Sequence, residues 1–69
     1  MYKILTKNED VNGNVYYLRQ TNCFSLSEAK MFIKKKGNRK WHYVIEHDGN
    51  ITHECKPNCF SAREIIQNV

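Results

Sequence analysis

From position 34 to 40 the chain reads Lys-Lys-Lys-Gly-Asn-Arg-Lys, with Trp41 and His42 directly after it. Five of these seven residues are cationic. Lysine and arginine at this density neutralise phosphates, and an exposed indole beside them can stack on an unpaired base. The chemistry expected here is recognition of an anionic partner by Lys34, Lys35, Lys36, Arg39, Lys40 and Trp41. A competing account is a helix end whose lysines offset the macrodipole, with Trp41 turned into the core.

The three cysteines and three histidines raise other chemistries. His53, Cys55 and Cys59, with Cys23 or His42 as a fourth ligand, are zinc-compatible in type. Their spacing argues against a metal, because the chain has no Cys-x2-Cys pair. Cys23 and Cys59 each precede a phenylalanine, a position where a small buried thiol packs well. A Cys–His nucleophile would need a base and an oxyanion hole, and no local motif supplies them. Glu28 and Glu64 are committed to helix caps, and Glu9, Asp10, Glu46 and Asp48 flank turns. The expectation is a non-enzymatic protein with no catalytic residue, metal or cofactor.

The elements that must position the basic run come from an internal repeat. Asn22-Cys23-Phe24-Ser25 returns 36 residues later as Asn58-Cys59-Phe60-Ser61. At the same offset Gly13-Asn14 matches Gly49-Asn50, and Glu28 matches Glu64. Repeat one covers about residues 2–36 and repeat two about 40–69, forming a single domain over 1–69. Branched and aromatic residues at 2–7 and 15–19, separated by Asn12-Gly13, predict a hairpin. For its inward face Tyr2, Ile4, Tyr16 and Leu18 compete with Leu5, Val15 and Tyr17. In the second hairpin Trp41, Tyr43 and Ile45 alternate with His42, Val44 and Glu46. A three-residue loop from His47 to Gly49 would set the first group beside Ile51, His53 and Cys55.

Each hairpin leads into a capping box, Ser25-x-x-Glu28 and Ser61-x-x-Glu64, in which the glutamate returns to the cap's own N–H. Phe24 and Phe60 are placed to staple onto Ala29 and Ile65. Leu26, Ala29, Phe32 and Ile33 make an apolar stripe that ends at Gly37. Ala62, Ile65 and Val69 hold the equivalent positions in a second helix. The fold class expected is α+β: a duplicated ββα unit forming a four-stranded, mainly antiparallel sheet with two helices.

At 69 residues the chain buries only about 60% of its unfolded surface, which disfavours a deep substrate cavity. A net charge of +4 favours an acidic partner, nucleic acid or protein. No apolar run matches a signal peptide or a membrane span. A cytoplasmic setting with reduced cysteines, and no membrane partner, is expected. The chain is expected to be a monomer or a homodimer. Pairing of the strand at residues 2–7 with its twin is one route to a dimer, although two lysines there oppose it.

A hairpin running into Phe24 and then Ser25-Leu26-Ser27-Glu28-Ala29-Lys30 resembles the sheet-plus-helix DNA-binding domains of phage integrase arm-site binders. That resemblance implies Tyr17, Arg19 and Lys7 as sheet-face contacts. The order of elements, with the same Ser25 to Lys30 helix opening, is also similar to small phage-encoded inhibitors of host defence, the anti-CRISPR proteins. Those are non-enzymatic and occupy a site on a bacterial nucleoprotein machine. The function expected is binding and inhibition of such a complex through the basic residues and neighbouring strand residues. A DNA-binding accessory or regulatory protein is the alternative.

Overall fold

The computed structural model describes residues 1–38 and 40–57 and the backbone of 67–68. The chain forms β1 (Tyr2–Glu9), β2 (Val15–Cys23), α1 (Leu26–Lys36), β3 (Tyr43–His47), β4 (Asn50–Cys55) and the short β5 (Gln67–Asn68). The sheet runs β2-β1-β3-β4-β5, with every pair antiparallel. The protein is therefore α+β, a four-stranded antiparallel sheet carrying α1 on one face and lengthened at β4 by β5.

The expected second helix lies largely outside the described residues, as do Cys59, Phe60, the Ser61 to Glu64 box, Ile65 and Val69. Gln67 and Asn68 pair with Glu54 and His53, so a helix does not run to the chain end. The outer edge of β4 offers unpaired backbone groups, and a strand satisfies them where a fraying last turn cannot.

Alternation along β1 decides the core. Ile4 faces α1, while Lys3, Leu5 and Lys7 fall on the far face. Ile4, Cys23, Ala29, Ile33, Tyr43, Ile45 and Cys55 close one cluster, with Tyr2, Leu26 and Phe32 at its margin. Ile4, Ile33 and Ile45 are fully buried, each worth about 1.5–3 kcal/mol over exposure. The inward set of the first hairpin is thus Tyr2 and Ile4. Tyr16 and Leu18 share that face, opposite Asn8 and Thr6, but remain exposed.

The first hairpin turns through Asn12-Gly13 as expected, with Gly13 at φ 84, whereas the second loop departs from expectation. Asp10 organises the first, its Oδ1 accepting the N–H groups of Asn12 at 2.8 Å and Asn14 at 2.9 Å. In the second, His47 pairs with Asn50, leaving a two-residue loop with Asp48 at φ 52 and Gly49 at φ 81. Positive φ at both positions is the turn whose twist suits a hairpin, so it displaces the three-residue loop. A bulge at Thr52 then restores the facing, pairing Ile45 with His53 and Tyr43 with Cys55. Ile51 is shifted to the other face, opposite Glu46. The first hairpin has its bulge at Gln20, which is not the repeat equivalent of Thr52. The two hairpins are therefore not in equivalent register.

The α1 cap differs from a simple box. Ser25 Oγ accepts the Glu28 N–H at 3.1 Å, but Glu28 Oε2 takes the N–H of Phe24, at 3.2 Å, rather than that of Ser25. Phe24 is 84% exposed and does not staple onto Ala29. Cys23 is the inward residue at the end of β2, and alternation turns Phe24 outward.

Candidate functional site

The last turn of α1 presents Lys34, Lys35 and Lys36 to solvent, and Lys40 is exposed in the loop beyond. Arg39 lies outside the described residues. The loop is held by Asn38, a role that the sequence alone did not suggest. Asn38 Oδ1 accepts the Lys40 N–H at 2.9 Å, and its carbonyl accepts the Trp41 N–H at 3.0 Å. The Asn38 N–H in turn donates to the Tyr43 hydroxyl at 2.8 Å, tying the loop to the core. Asparagine just past a helix-ending glycine, at a favoured turn position, is the signal that could have found it.

Trp41 lies ahead of β3 rather than inside it. Its ring is 6.1 Å from that of Tyr43, tilted by 44°, and it is 47% exposed. One part of the indole therefore packs on the core's rim and the remainder meets solvent. Beside the lysines, Glu28, Met31, Phe32, Lys35 and Lys36 line a hollow of about 280 Å³.

Tyr17 and Arg19 lie elsewhere. They sit on β2 opposite Lys7 and Leu5, which places them on the far face of the sheet. Tyr17 and Arg19 therefore do not form one patch with Lys34, Lys35, Lys36, Lys40 and Trp41. The ends of β1 and β3 connect the two groups, because the Lys7 N–H donates to the His42 carbonyl at 2.8 Å. His42 is two residues beyond Lys40, so cations run from the end of α1, round the end of the sheet, to Lys7 and Arg19.

Two acidic groups on the far face, Glu46 and Glu54, are already engaged, while Glu9, exposed two residues along from Lys7, has no cation within 4.0 Å among the described residues. Glu46 lies 3.9 Å from Lys3, and Glu54 lies 3.3 Å from His42 and 3.9 Å from Lys56. Among the described residues no carboxylate lies within 4.0 Å of Lys7, Arg19, Lys34, Lys35, Lys36 or Lys40. These cations are the charges a partner can neutralise.

Cys23 and Cys55 are poorly placed for chemistry. Burial pushes the Cys23 pKa up and the Glu28 carboxylate adds to the shift, which disfavours a thiolate. Cys55 is fully buried. Among the described residues no three His, Cys, Asp or Glu side chains gather where they could hold a metal ion. No described helix is long and apolar enough to cross a membrane.

No protein-family model, curated protein or solved structure matches the chain.

Proposed function

We propose that this chain is a non-enzymatic protein that binds a bacterial nucleoprotein complex and inhibits it by blocking its nucleic-acid path. The reading rests on one observation: four exposed lysines, with no carboxylate within 4.0 Å among the described residues, lie at and just beyond the last turn of α1, Lys35 and Lys36 lining an apolar hollow and Lys40 preceding the half-exposed Trp41. Phosphates suit the lysines, while Met31, half-exposed, and Phe32 offer an apolar contact that a protein component can cover. A phage or mobile-element origin accords with this role.

The test adds the protein to a purified type I RNA-guided complex and measures binding of target duplex. The expected result is loss of duplex binding, spared when Lys34, Lys35, Arg39 and Lys40 are replaced by alanine. Unchanged duplex binding at saturating protein overturns the inhibitor reading.

A second reading, direct DNA binding, is supported by Lys7, Tyr17 and Arg19 sharing the far face of the sheet. It requires binding to free duplex that weakens steeply between about 50 and 200 mM salt. Absence of free-duplex binding at either salt removes it.

A further inference from the structure

We propose that β2 is a self-association strand that pairs antiparallel with β2 of a second copy of this chain. Among the described residues β2 pairs only with β1, so its outer edge carries no strand along its length. At the opposite edge β5 covers part of β4. This also corrects the expected dimer edge: β1 lies between β2 and β3, so residues 2–7 have no free side.

Four consecutive large apolar residues mark the open edge. Val15 is 52% exposed, Tyr16 45%, Tyr17 42% and Leu18 51%. Exposed edges are ordinarily blunted by lysine, proline, bulges or inward charges. Val15–Cys23 contains neither lysine nor proline, and its bulge comes only at Gln20. Residues 15–19 are therefore a regular, adhesive stretch.

The stretch is complementary to itself. Antiparallel pairing centred on Tyr17 sets Tyr16 opposite Leu18 twice and Val15 opposite Arg19 twice. Aromatic–aliphatic pairs stabilise adjacent strands, and no like charges face one another in this register. Such an interface is isologous and closes at two copies. It joins both sheets into one, with both α1 helices on the same face and both Lys7–Arg19 groups on the other.

Size sets the strength. Aromatic side chains present roughly 150–250 Å² each, so four half-exposed residues supply on the order of 400 Å² per copy. A standard interface buries about 800 Å² per partner, so this dimer is weak and dependent on concentration. Each copy also carries +4, which opposes approach until salt screens it. Association through β2 therefore strengthens with salt, the reverse of phosphate binding.

Sedimentation velocity of the full chain from about 5 to 500 μM tests this, because a weak dimer forms within that range. The expected result is a dimer fraction that rises with concentration and with salt. The double variant Tyr16→Lys, Leu18→Lys should stay monomeric with an unchanged circular-dichroism spectrum. Val11→Lys, in the first loop, should associate as the wild type does. Amide exchange gives a second readout without mutation: protection within residues 15–19 should rise with concentration. A wild-type chain that remains monomeric throughout, or protection independent of concentration, overturns the proposal. A dimer that survives in a folded double variant places the interface elsewhere and also overturns it.

Discussion

Two glycines hold their places for different physical reasons, and substitution separates them. Gly49 has φ 81 with open space around it, so an added side chain meets backbone strain rather than atoms. Gly37 has φ −72, which any residue adopts, but a Cβ there would collide with the Ile33 carbonyl and approach the Tyr43 ring at 3.2 Å. Gly49→Ala should cost about 1–2 kcal/mol, the usual penalty of a left-handed residue, and Gly49→Asn less because asparagine tolerates it. Gly37→Ala should cost about 1–3 kcal/mol through overpacking, and Gly37→Asn should give no relief. Urea denaturation of the four variants checks this; rescue by asparagine at both sites would defeat the distinction. Asp10 offers a residue-level test in pH. The Asn14 N–H, foremost among several groups bonded to its carboxylate, holds its pKa below the usual 3.8, against an opposing desolvation. The native pKa is depressed, so the contribution is present above the ordinary carboxylate value and lost as pH falls through the lowered one. Exchange protection of the Asn12 and Asn14 amides should vanish in that acid range, and Asp10→Ala should lack it at every pH. An unchanged wild-type profile on acidification would refute the assignment.

At the level of elements, α1 depends on its first turn. Ser25→Ala removes the acceptor for the Glu28 N–H and should cost about 1 kcal/mol, read as a lower urea midpoint with unchanged slope. Phe24→Ser should be nearly neutral, because the ring is exposed, whereas a working staple would make it costly. Much at this scale was legible from sequence, since local chemistry dictates it. Ser25 and Glu28 announced the helix start, Gly37 the end and Asn12-Gly13 the first turn, whereas the second loop was expected one residue longer, from His47 to Gly49. Non-local events were not legible. Nothing in the alternation of β4 announces that Thr52 will be the extra residue, because a bulge is chosen by the partner strand. Similarly, the central pairing of β1 with β3 is invisible to any local pattern, and it decides which strand is left at the edge.

For the whole molecule, the two basic groups differ in how far sequence could locate them. The run of lysines before Lys40 was legible because consecutive cations at a helix end are exposed in almost any packing. That Lys7, Tyr17 and Arg19 share a face depends on the β1–β2 register, and that Lys7 approaches His42 depends on β1 and β3 pairing. If the band acts as one surface, its parts should contribute separately to the salt dependence of binding the partner. Alanine at Lys7 and Arg19, or at Lys34, Lys35 and Lys40, should each lower the log–log salt slope by up to about 0.9 for every phosphate no longer neutralised. The two reductions should add in the combined variant, since the groups share no side-chain partner. A combined variant no worse than the lysine variant would restrict the binding surface to the end of α1.

The bulge at Thr52 has a consequence for how this chain can change length. Deleting Thr52 alone would remove the extra residue and leave a regular ladder, with Ile45 still opposite His53 and Tyr43 still opposite Cys55. Deleting it while inserting one residue between Asp48 and Gly49 keeps Ile45 opposite His53, with the irregularity moved into the loop. Sequence drift in this hairpin is thus free to trade a residue of loop for a residue of strand. Relatives aligned by length alone would show a gap in each place, where the core records no change at all.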